Sequence, residues 1–438
     1  MTPTLKLRQL ILIIGDILTL YLALAITLII RYQEPFSNEA LNTHLKPFSI
    51  IFVLWILIFY IIGLYEIGSL KNTINFIKKL STALIISAVT TIFFFYFVTY
   101  YDIAPKTNLF IFLSLLFLLE YGWRTNYNNF LTKGSPTTKV LIIGSGQAIQ
   151  QLAISIRNNP QLGYELFFLE NPEDISQTII SKRIDLIVVP NHIKKEAKIA
   201  QVIYKNLVTG TNIIDLSSFY ELVFNKVPIT ELEEFWFLEN LVNRQNIYDF
   251  FRISLEVLSA LILAIILFPL AVIISTLIKL TSRGPVIFKQ TRVGELGKTF
   301  TLYKFRSMKK NAEAQGAQWA KANDPRVTFL GKILRFSHFD EMPQLINIIK
   351  GDLSFVGPRP ERPEFTEDLK KIIPYYELRH IVKPGITGWA QLNYRYGASV
   401  EDAYEKLQYD LYYIKNRSFW LDISIVIKTI KLFFTNNS

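Results

Sequence analysis

The segment LRFSHFDEMPQLINIIKGDLSFVGPRPERPEF, residues Leu334–Phe365, is predicted to hold a helix, a strand and a rigid turn in close succession. Met342–Lys350 has apolar residues at helical spacing, and Gly351 is a typical helix stop. We therefore expect Asp340 and Glu341 at the N-terminus of a helix. Free backbone N–H groups and the positive end of the helix dipole favour anions at that position.

The remainder of this segment predicts how one arginine is presented. Leu353–Val356 is predicted to be a short strand, and it leads into the turn Gly357-Pro358-Arg359-Pro360. Proline fixes the backbone dihedral φ, so two prolines around one residue make the turn rigid. The turn is expected to project the side chain of Arg359.

The pair Asp340–Glu341 allows two explanations on its own. Asp is a common helix N-cap and Glu a common first-turn residue, so the pair can be purely structural. Several cations lie nearby in the sequence: Lys304 and Arg306 in YKFRSM, Arg335 before the pair and Arg359 after it. Arginine makes bidentate contacts with phosphate, so carboxylates among these cations favour a metal–phosphate site. In such a site one carboxylate attacks phosphorus, a carboxylate binds Mg²⁺, and the cations bind phosphoryl oxygens.

The chain is rich in apolar residues, and its positive charge is concentrated in its last third. Half of its 438 residues are hydrophobic, and the net charge is +11. Residues 281–438 hold 25 Lys and Arg against 16 Asp and Glu. Such a segment suits an anionic lipid surface and a phosphate-bearing substrate, whereas the lack of a recognisable nucleic-acid-binding module argues against nucleic acid. There is no cysteine and there are four histidines, which excludes disulfides and thiolate catalysis and argues against a multi-histidine metal site.

Long apolar runs in the first third predict membrane spans. Three of them are clear, and the fourth is long enough only if it extends to Trp123. Basic residues lie before the first span, between the second and third, and after the fourth, so these regions are expected to be cytoplasmic. The predicted spans are Leu10–Ile30, Phe48–Leu64, Leu80–Tyr100 and Leu109–Leu119.

From Thr138 the pattern changes to alternating strands and helices, which is typical of a doubly wound α/β domain. KVLIIGSG is predicted to be a buried strand that runs into a glycine turn, and Ile184–Pro190 and Thr211–Leu216 are two further strands. The sequence GSGQAI begins like a dinucleotide-binding fingerprint, but Ile149 holds the position of its third glycine. A structural or regulatory role and nucleotide sensing both remain open for this domain.

Ile253–Leu280 is another long apolar segment, and both of its ends are basic. A spanning helix would place one basic end outside the cell, against the usual orientation. Pro269, near the middle, lacks the N–H group that an α-helix needs there. The residues alone leave two alternatives: a helix that bends at Pro269 and returns to the same side, or a fifth span with a proline kink.

The motifs of the second half, taken in order, resemble those of the bacterial sugar transferase family, the monotopic phosphoglycosyl transferases. They are SRGPVIFKQTRVGELGKTFTLYKFRSM, DPRVTFLGKILR, DEMPQL followed by KGDLSFVGPRP, KPGITGWAQ and YDLYYIKN. The resemblance runs from about Ile253 to the end of the chain. The first half resembles the large, exopolysaccharide-type members, which have four spans and a degenerate nucleotide-binding-like domain.

The resemblance implies a role for each matched residue. Asp340 is expected to be the nucleophile, and Asp340 and Glu341 the Mg²⁺ ligands. The family's re-entrant helix falls on residues 253–280 with its bend at Pro269, which favours the first of the two alternatives above. The residues expected to bind substrate or phosphate are Lys304, Arg306, Arg335, Pro358, Arg359 and Asp410.

The implied reaction moves a sugar-1-phosphate from a nucleoside-diphosphate sugar, expected to be a UDP-sugar, to undecaprenyl (polyprenyl) phosphate. It passes through a phospho-aspartyl enzyme and begins exopolysaccharide or other glycoconjugate synthesis. Two other functions were weighed. A nucleotide-sugar dehydratase or epimerase would need a Tyr-x-x-x-Lys pair, which Tyr164, Tyr204 and Tyr220 all lack. A non-catalytic membrane scaffold for a polysaccharide assembly complex would tolerate loss of Asp340.

The sequence therefore predicts three parts. They are a four-helix transmembrane region over residues 1–130, a Rossmann-like α/β domain over 136–243, and a mixed α/β phosphoglycosyl transferase domain over 248–438 that includes the re-entrant helix. We expect a multi-pass protein of the bacterial inner membrane with its active site on the cytoplasmic face. Large members of the family suggest a homodimer.

Overall fold

The computed structural model describes residues 3–32, 38–66, 69–97, 106–133, 137–169, 175–190, 211–241, 246–309, 312, 324–394, 397 and 399–435. The chain forms two compact units, Met1–Val223 and Phe224–Ser438. The interval 136–243, which the sequence assigned to one α/β domain, is thus divided between the two units.

The first unit begins with long helices that pack side by side. They are α1 (Pro3–Tyr32), α2 (Asn38–Ile62), α3 (Ile74–Phe97) and α4 (Lys106–Lys133). Each overlaps one of the four predicted spans. Their inward faces form a core that includes Leu20, Trp55, Phe76 and Leu116, whereas large apolar side chains cover the outward faces.

Four helices among the described residues are long and apolar enough to cross a membrane. They are Leu7–Arg31, His44–Ile62, Ile74–Phe97 and Tyr248–Thr281. The described part of α4 lacks an equally apolar stretch, since Glu120 and Arg124 interrupt it. A fourth span in the first third therefore stays a prediction.

A buried ion-pair cluster joins α1 to α4. Arg124 pairs with Asp16 of α1 and lies 3.1 Å from Glu120 of its own helix. The hydroxyl of Tyr65 donates to Asp16 at 2.7 Å. Charged side chains inside an apolar helix bundle need such partners, which explains how Asp16 is accommodated within an apolar helix.

A parallel four-stranded sheet follows the helices. Its strands are β1 (Thr138–Ile143), β2 (Tyr164–Leu169), β3 (Leu186–Val189) and β4 (Asn212–Asp215), in the order β2-β1-β3-β4. The helices of this region are α5 (Gln147–Asn158), α6 (Ile175–Lys182) and α7 (Leu216–Phe224). Three of these strands match the predicted ones, and β2 was not predicted. The name Rossmann-like for this region stays a prediction.

The second unit combines an apolar helix with a mixed α/β fold. Its helices are α8 (Glu234–Leu241), α9 (Asn246–Thr281), α10 (Phe329–Phe336), α11 (Leu345–Lys350), α12 (Pro363–Ile372), α13 (Trp389–Asn393), α14 (Val400–Asn416) and α15 (Phe419–Thr435). Its strands are β5 (Ile287–Val293), β6 (Thr299–Phe305), β7 (Ser354–Val356) and β8 (Gly385–Thr387). Strands β5 and β6 form an antiparallel hairpin, and β7 pairs with β8 in parallel.

The core of the second unit also includes residues that precede α9. Val227, Trp236 and Phe237 pack in one buried cluster with residues of α14 such as Leu407 and Leu411. Stretch 227–241 is thus part of the fold that carries the candidate site, although the sequence grouped it with the preceding domain.

Helix α9 continues through Pro269 without a break in its helical residues. Ala260, before the proline, packs in a cluster with Leu302 of β6. Ile278, after the proline, packs in a cluster with Phe305 of the same strand. Ile265, Ile266 and Phe268, just before Pro269, are exposed, whereas Leu270, just after it, packs against the second of these clusters. Both halves of this helix therefore contact the mixed α/β fold, with an exposed apolar segment between the two contacts.

Candidate active site

The acidic pair lies on a 3₁₀-helix, Phe339–Gln344, that leads directly into α11. The sequence predicted an α-helix from Met342, but α-helical geometry begins only at Leu345. Pro343 is compatible with this position, because the first turn of a helix does not need its backbone N–H. His338, just before the 3₁₀-helix, has a left-handed backbone with φ of 55°. Asp340 and Glu341 thus occupy the first turn, as predicted.

The carboxylate of Glu341 is held by two cations from distant parts of the chain. Lys304, on β6, donates from Nζ to Glu341 Oε1 at 2.7 Å. Arg359, on the turn after β7, donates from Nη2 to the same oxygen at 2.9 Å. Burial alone would raise the pKa of Glu341, but Arg359 and Lys304 outweigh it and hold that pKa well below its usual range. Glu341 is therefore ionised.

Asp340 differs from its neighbour in having no such partner. Its side chain is only 7% exposed, and no described residue donates a hydrogen bond to its carboxylate or pairs with it. Burial raises the pKa of Asp340, Lys304 lowers it, and the charge of Glu341 raises it further. The site therefore contains one neutralised carboxylate and one buried carboxylate that is open to a new electrophile or cation.

The two remaining predicted arginines lie beside the end of β6. Arg335 donates from Nε to Ser307 Oγ at 2.9 Å, and no described residue accepts from its terminal nitrogens. Arg306 is 7% exposed and donates from Nη2 to the backbone oxygen and hydroxyl of Ser282, at 2.9 and 2.6 Å. Its Nε and Nη1 have no acceptor among the described residues. Both guanidinium groups can therefore accept an anionic ligand.

The turn that carries Arg359 is fixed by a close approach of two backbone segments. Gly357 donates to Thr387 O at 2.9 Å, and Gly385 donates to Pro358 O at 3.0 Å. A Cβ atom on Gly385 would lie 2.1 Å from the backbone nitrogen of Gly357, so only glycine fits there. The predicted strand and turn around Pro358 and Arg359 are both observed.

Asp410 lies behind the site rather than beside the acidic pair. It is 1% exposed on α14, and its Oδ2 lies 2.8 Å from Nη2 of Arg379. Burial raises the pKa of Asp410 to about 6, although Arg379 opposes the shift. The observed partner of Asp410 is therefore a buried arginine, and a direct role in binding substrate stays a prediction.

The donor set is compatible with Mg²⁺. No group of three or more metal-ligating side chains occurs within the described residues. Mg²⁺ is commonly held by one or two carboxylates together with substrate phosphates and water, so it does not need such a group. The unpartnered carboxylate of Asp340 and the second oxygen of Glu341 supply that minimal set.

Sequence reasoning missed two arginines that touch the turn. Arg292, on β5, donates to Pro360 O at 2.9 Å, and Arg379 donates to Arg359 O at 3.0 Å. Arg292 lies within the first quoted motif but was not singled out, Arg379 lies outside the quoted motifs, and both contacts join residues far apart in sequence. Only the three-dimensional fold reveals them.

Comparison with known proteins identifies the second unit. The bacterial sugar transferase family matches residues 247–436, which contain every site residue described above. A UDP-N-acetylgalactosamine-undecaprenyl-phosphate N-acetylgalactosaminephosphotransferase of Aeromonas hydrophila is 48% identical over 189 residues. That match covers 43% of this chain and 45% of the relative, so it spans less than half of each protein.

Two further relatives match over more of the chain. A UDP-glucose:undecaprenyl-phosphate glucose-1-phosphate transferase of Escherichia coli (strain K12) is 32% identical over 341 residues, 72% of this chain and 71% of the relative. A protein with the same name from Klebsiella pneumoniae is 34% identical over 325 residues, 68% of each chain. The match therefore extends beyond the second unit into the first. The chain is an enzyme of the bacterial sugar transferase family.

Proposed function

We propose that this enzyme moves a sugar-1-phosphate from a nucleoside-diphosphate sugar to undecaprenyl phosphate, with Asp340 as the nucleophile. The observation that carries the proposal is the difference between two adjacent carboxylates. Glu341 is neutralised by Lys304 and Arg359, whereas Asp340 is buried and accepts no hydrogen bond from the described residues. A carboxylate without partners keeps its lone pairs available for attack.

The reaction has two displacements at the same phosphorus. In the first, an oxygen of Asp340 forms a bond to the phosphorus that bears the sugar, and the bond from that phosphorus to the nucleoside monophosphate breaks. In the second, a phosphate oxygen of the lipid bonds to this phosphorus, and the bond to Asp340 breaks. The carboxylate is regenerated and no net proton is consumed.

The cations around the pair would stabilise the charge that develops in each displacement. Arg335 presents its terminal nitrogens, and Lys304 and Arg359 lie on Glu341, next to Asp340. Preorganised cations aimed at developing charge are commonly the largest single contribution to such catalysis. Mg²⁺, held by Asp340 and Glu341, would supply further neutralisation of phosphoryl oxygens when bound.

The substrate classes are inferred from the relatives. All three names given above combine a UDP-sugar with undecaprenyl phosphate. We infer the same donor and acceptor classes here, with the product serving to begin exopolysaccharide or other glycoconjugate synthesis. The relatives transfer different sugars, so the sugar itself is not part of the proposal.

We also infer that α9 is a re-entrant membrane helix and that the site faces the cytoplasm of the inner membrane. Two observations support the re-entrant path. Ala260 and Ile278, on either side of Pro269, both pack in clusters with β6, while apolar side chains just before the proline, such as Ile266 and Phe268, are exposed. A lipid phosphate would then meet the acidic pair at the membrane surface.

We extend the proposal to the domain that follows the four helices and to the assembly of the protein. The parallel sheet and the glycine turn after β1 support a Rossmann-like domain, for which we propose no catalytic role.

A homodimer is the assembly that we propose for the membrane protein. Mass measurement of the protein in nanodiscs tests the assembly.

The decisive experiment traps the covalent enzyme. Protein in nanodiscs is mixed with a UDP-sugar and Mg²⁺ but no lipid acceptor, and mass spectrometry is used to look for a phosphosugar on Asp340. We expect one adduct per active site and release of UMP. Release of UDP would indicate ordinary glycosyl transfer and contradict the proposal.

A pair of variants separates this function from a scaffold. Asp340→Asn should remove both the adduct and turnover, whereas Asp352→Asn, an acid beyond α11, should leave both intact. A scaffold predicts instead that Asp340→Asn still supports polysaccharide assembly in cells.

A further inference from the structure

The turn that presents Arg359 is held by its backbone oxygens. Four consecutive carbonyl groups each accept a hydrogen bond, and the donors come from three parts of the second unit: β5, the 3₁₀-helix Tyr376–His380 and β8. The donors are Gly385 N to Pro358 O at 3.0 Å, Arg379 Nη2 to Arg359 O at 3.0 Å, Arg292 Nη1 to Pro360 O at 2.9 Å, and Val293 N to Glu361 O at 2.9 Å. The conformation of the turn is therefore fixed by hydrogen bonds from other elements of the second unit.

The sequence of the turn explains why such donors are needed. Pro358 and Pro360 have no backbone N–H, so the turn cannot build a regular hydrogen-bonded ladder. Its carbonyl groups lie in a buried part of the fold, where an unpaired polar group is costly. Donors from outside the turn are therefore needed. Two are backbone N–H groups and two are arginine side chains, and the donor to the carbonyl group of Arg359 itself is Arg379.

Arg379 is rigidly placed. It is 5% exposed, and its Nη1 donates to the hydroxyl of Tyr376 at 2.6 Å. Its Nη2 lies 2.8 Å from Asp410 Oδ2 and also donates to Arg359 O. The planar guanidinium thus joins α14 to the turn through groups with fixed relative positions.

A continuous chain of contacts links this buried pair to the acidic pair. Asp410 contacts Arg379, Arg379 contacts the backbone of Arg359, and the side chain of Arg359 donates to Glu341 at 2.9 Å. The backbone of Arg359 is thus held by Arg379, and its guanidinium group is held by Glu341. A displacement of its backbone would move the guanidinium away from Glu341.

We propose that Arg379 is a positioning residue for the transfer reaction and that Asp410 acts as its counter-ion, not as a substrate ligand. The pair holds the backbone of Arg359 so that its guanidinium meets Glu341 and the phosphoryl group next to Asp340. This role rests on the proposed function, because it matters only if Arg359 stabilises a phosphoryl transfer.

The test is Arg379→Lys in the full-length protein in nanodiscs, with Arg417→Lys as the matched control. Lysine keeps the positive charge for Asp410 but cannot bridge Asp410, Tyr376 and the turn together. Arg417 likewise pairs with an acid, Asp249 at 3.0 Å, but does not contact the turn. We expect kcat to fall by about 10- to 100-fold in Arg379→Lys, as a small misplacement of a charged group would cause, with KM for the donor little changed. Arg417→Lys should retain turnover.

The decisive comparison repeats the substitution in an Arg359→Ala background. If Arg379 acts through Arg359, Arg379→Lys should cause no further loss there. An equal loss in both backgrounds would overturn the proposal. If Arg359→Ala itself keeps full turnover, the proposed function of that arginine fails instead, which separates the two conclusions.

The melting temperature of each variant and a milder variant, Tyr376→Phe, distinguish a loss of positioning from a loss of folding. Tyr376→Phe removes only the hydroxyl that accepts from Arg379 Nη1 and keeps the ion pair with Asp410. It should lower kcat less than Arg379→Lys does, again only when Arg359 is present. Loss of turnover that parallels loss of melting temperature in every variant would show a purely structural role and contradict the proposal.

Discussion

Arg359 Nη2 lies 2.9 Å from Glu341 Oε1, although the two residues are 18 positions apart and lie on different elements. Lys304 donates to the same oxygen at 2.7 Å from β6. Three structural elements thus converge on one carboxylate oxygen. Among the described residues, neither the second oxygen of Glu341 nor either oxygen of Asp340 has a comparable cationic partner. The two acids should therefore respond differently to mutation.

Glu341→Gln should lower turnover strongly. The amide keeps the shape of the side chain but removes the charge that Lys304 and Arg359 share, so both cations lose their fixed positions. We expect kcat to fall on the order of 100-fold or more, comparable with the loss of a preorganised electrostatic group. Release of nucleoside monophosphate measures this effect. Turnover close to wild type would show that the ion pairs are not needed for the reaction.

Asp340→Asn should abolish turnover and yet stabilise the protein. The wild-type carboxylate is buried without a hydrogen-bond donor from the described residues, which is unfavourable for folding. Removing its charge should raise stability by about 1 kcal/mol, or the melting temperature by about 2–4 °C. The measurement is thermal unfolding without substrate or Mg²⁺.

Asp352→Asn is the control for that effect, because Asp352 is not enclosed by the site. Its melting temperature should stay close to the wild-type value. A lower melting temperature for Asp340→Asn would mean that Asp340 has a stabilising partner, which would contradict its description as an open carboxylate.

The sequence predicted the parts of the site that have a local chemical pattern. Asp340 and Glu341 stand at a helix start, and the two prolines around Arg359 predicted a rigid turn. Both features follow from short-range rules on helix ends and proline, so they can be read without knowing the fold.

Contacts between distant residues could not be predicted in the same way. Arg379 and Asp410 form their pair across a helix packing interface, and each is one charged residue among many in the sequence. The burial that distinguishes them arises only after folding. Strand β2 was missed for a related reason, since it lies at the edge of the sheet and lacks the continuous buried character of β1 and β3.

The path of α9 can be tested by cysteine labelling, because the native chain has no cysteine. Ser254→Cys and Thr281→Cys place one exposed thiol near each end of the helix. If α9 is re-entrant, a membrane-impermeant maleimide should label both from the cytoplasmic side of inverted membrane vesicles and neither from the outer side. Labelling of the two positions from opposite sides would show a spanning helix.

The same assay can ask whether Pro269 causes the return. Pro269→Leu restores a backbone donor and removes the ring that clashes in a helix, so it should favour a straight helix. We expect Thr281→Cys to become partly accessible from the outer side in this background. Leu270→Ile, a neighbouring substitution that keeps the backbone donor and the proline, should leave the labelling pattern unchanged.

His380 predicts a specific loss of stability in acid. It is buried, and burial together with the charges of Arg379 and Lys370 lowers its pKa to about 3 from an ordinary value of 6.5. Between these values the unfolded chain binds a proton that the folded protein does not, so unfolding becomes more favourable as pH falls. Above about pH 6.5 His380 is neutral in both states and does not make the free energy of unfolding depend on pH. Below that value the free energy of unfolding falls by about 1.4 kcal/mol for each pH unit.

His380→Gln should remove this part of the acid sensitivity, because glutamine does not titrate. We expect the difference in melting temperature between the variant and the wild type to be constant from about pH 8 to about pH 7 and then to shift in favour of the variant down to about pH 5. A constant difference across the whole range would mean that His380 takes up its proton in the folded protein as readily as in the unfolded chain, and that its burial does not disfavour the charged form.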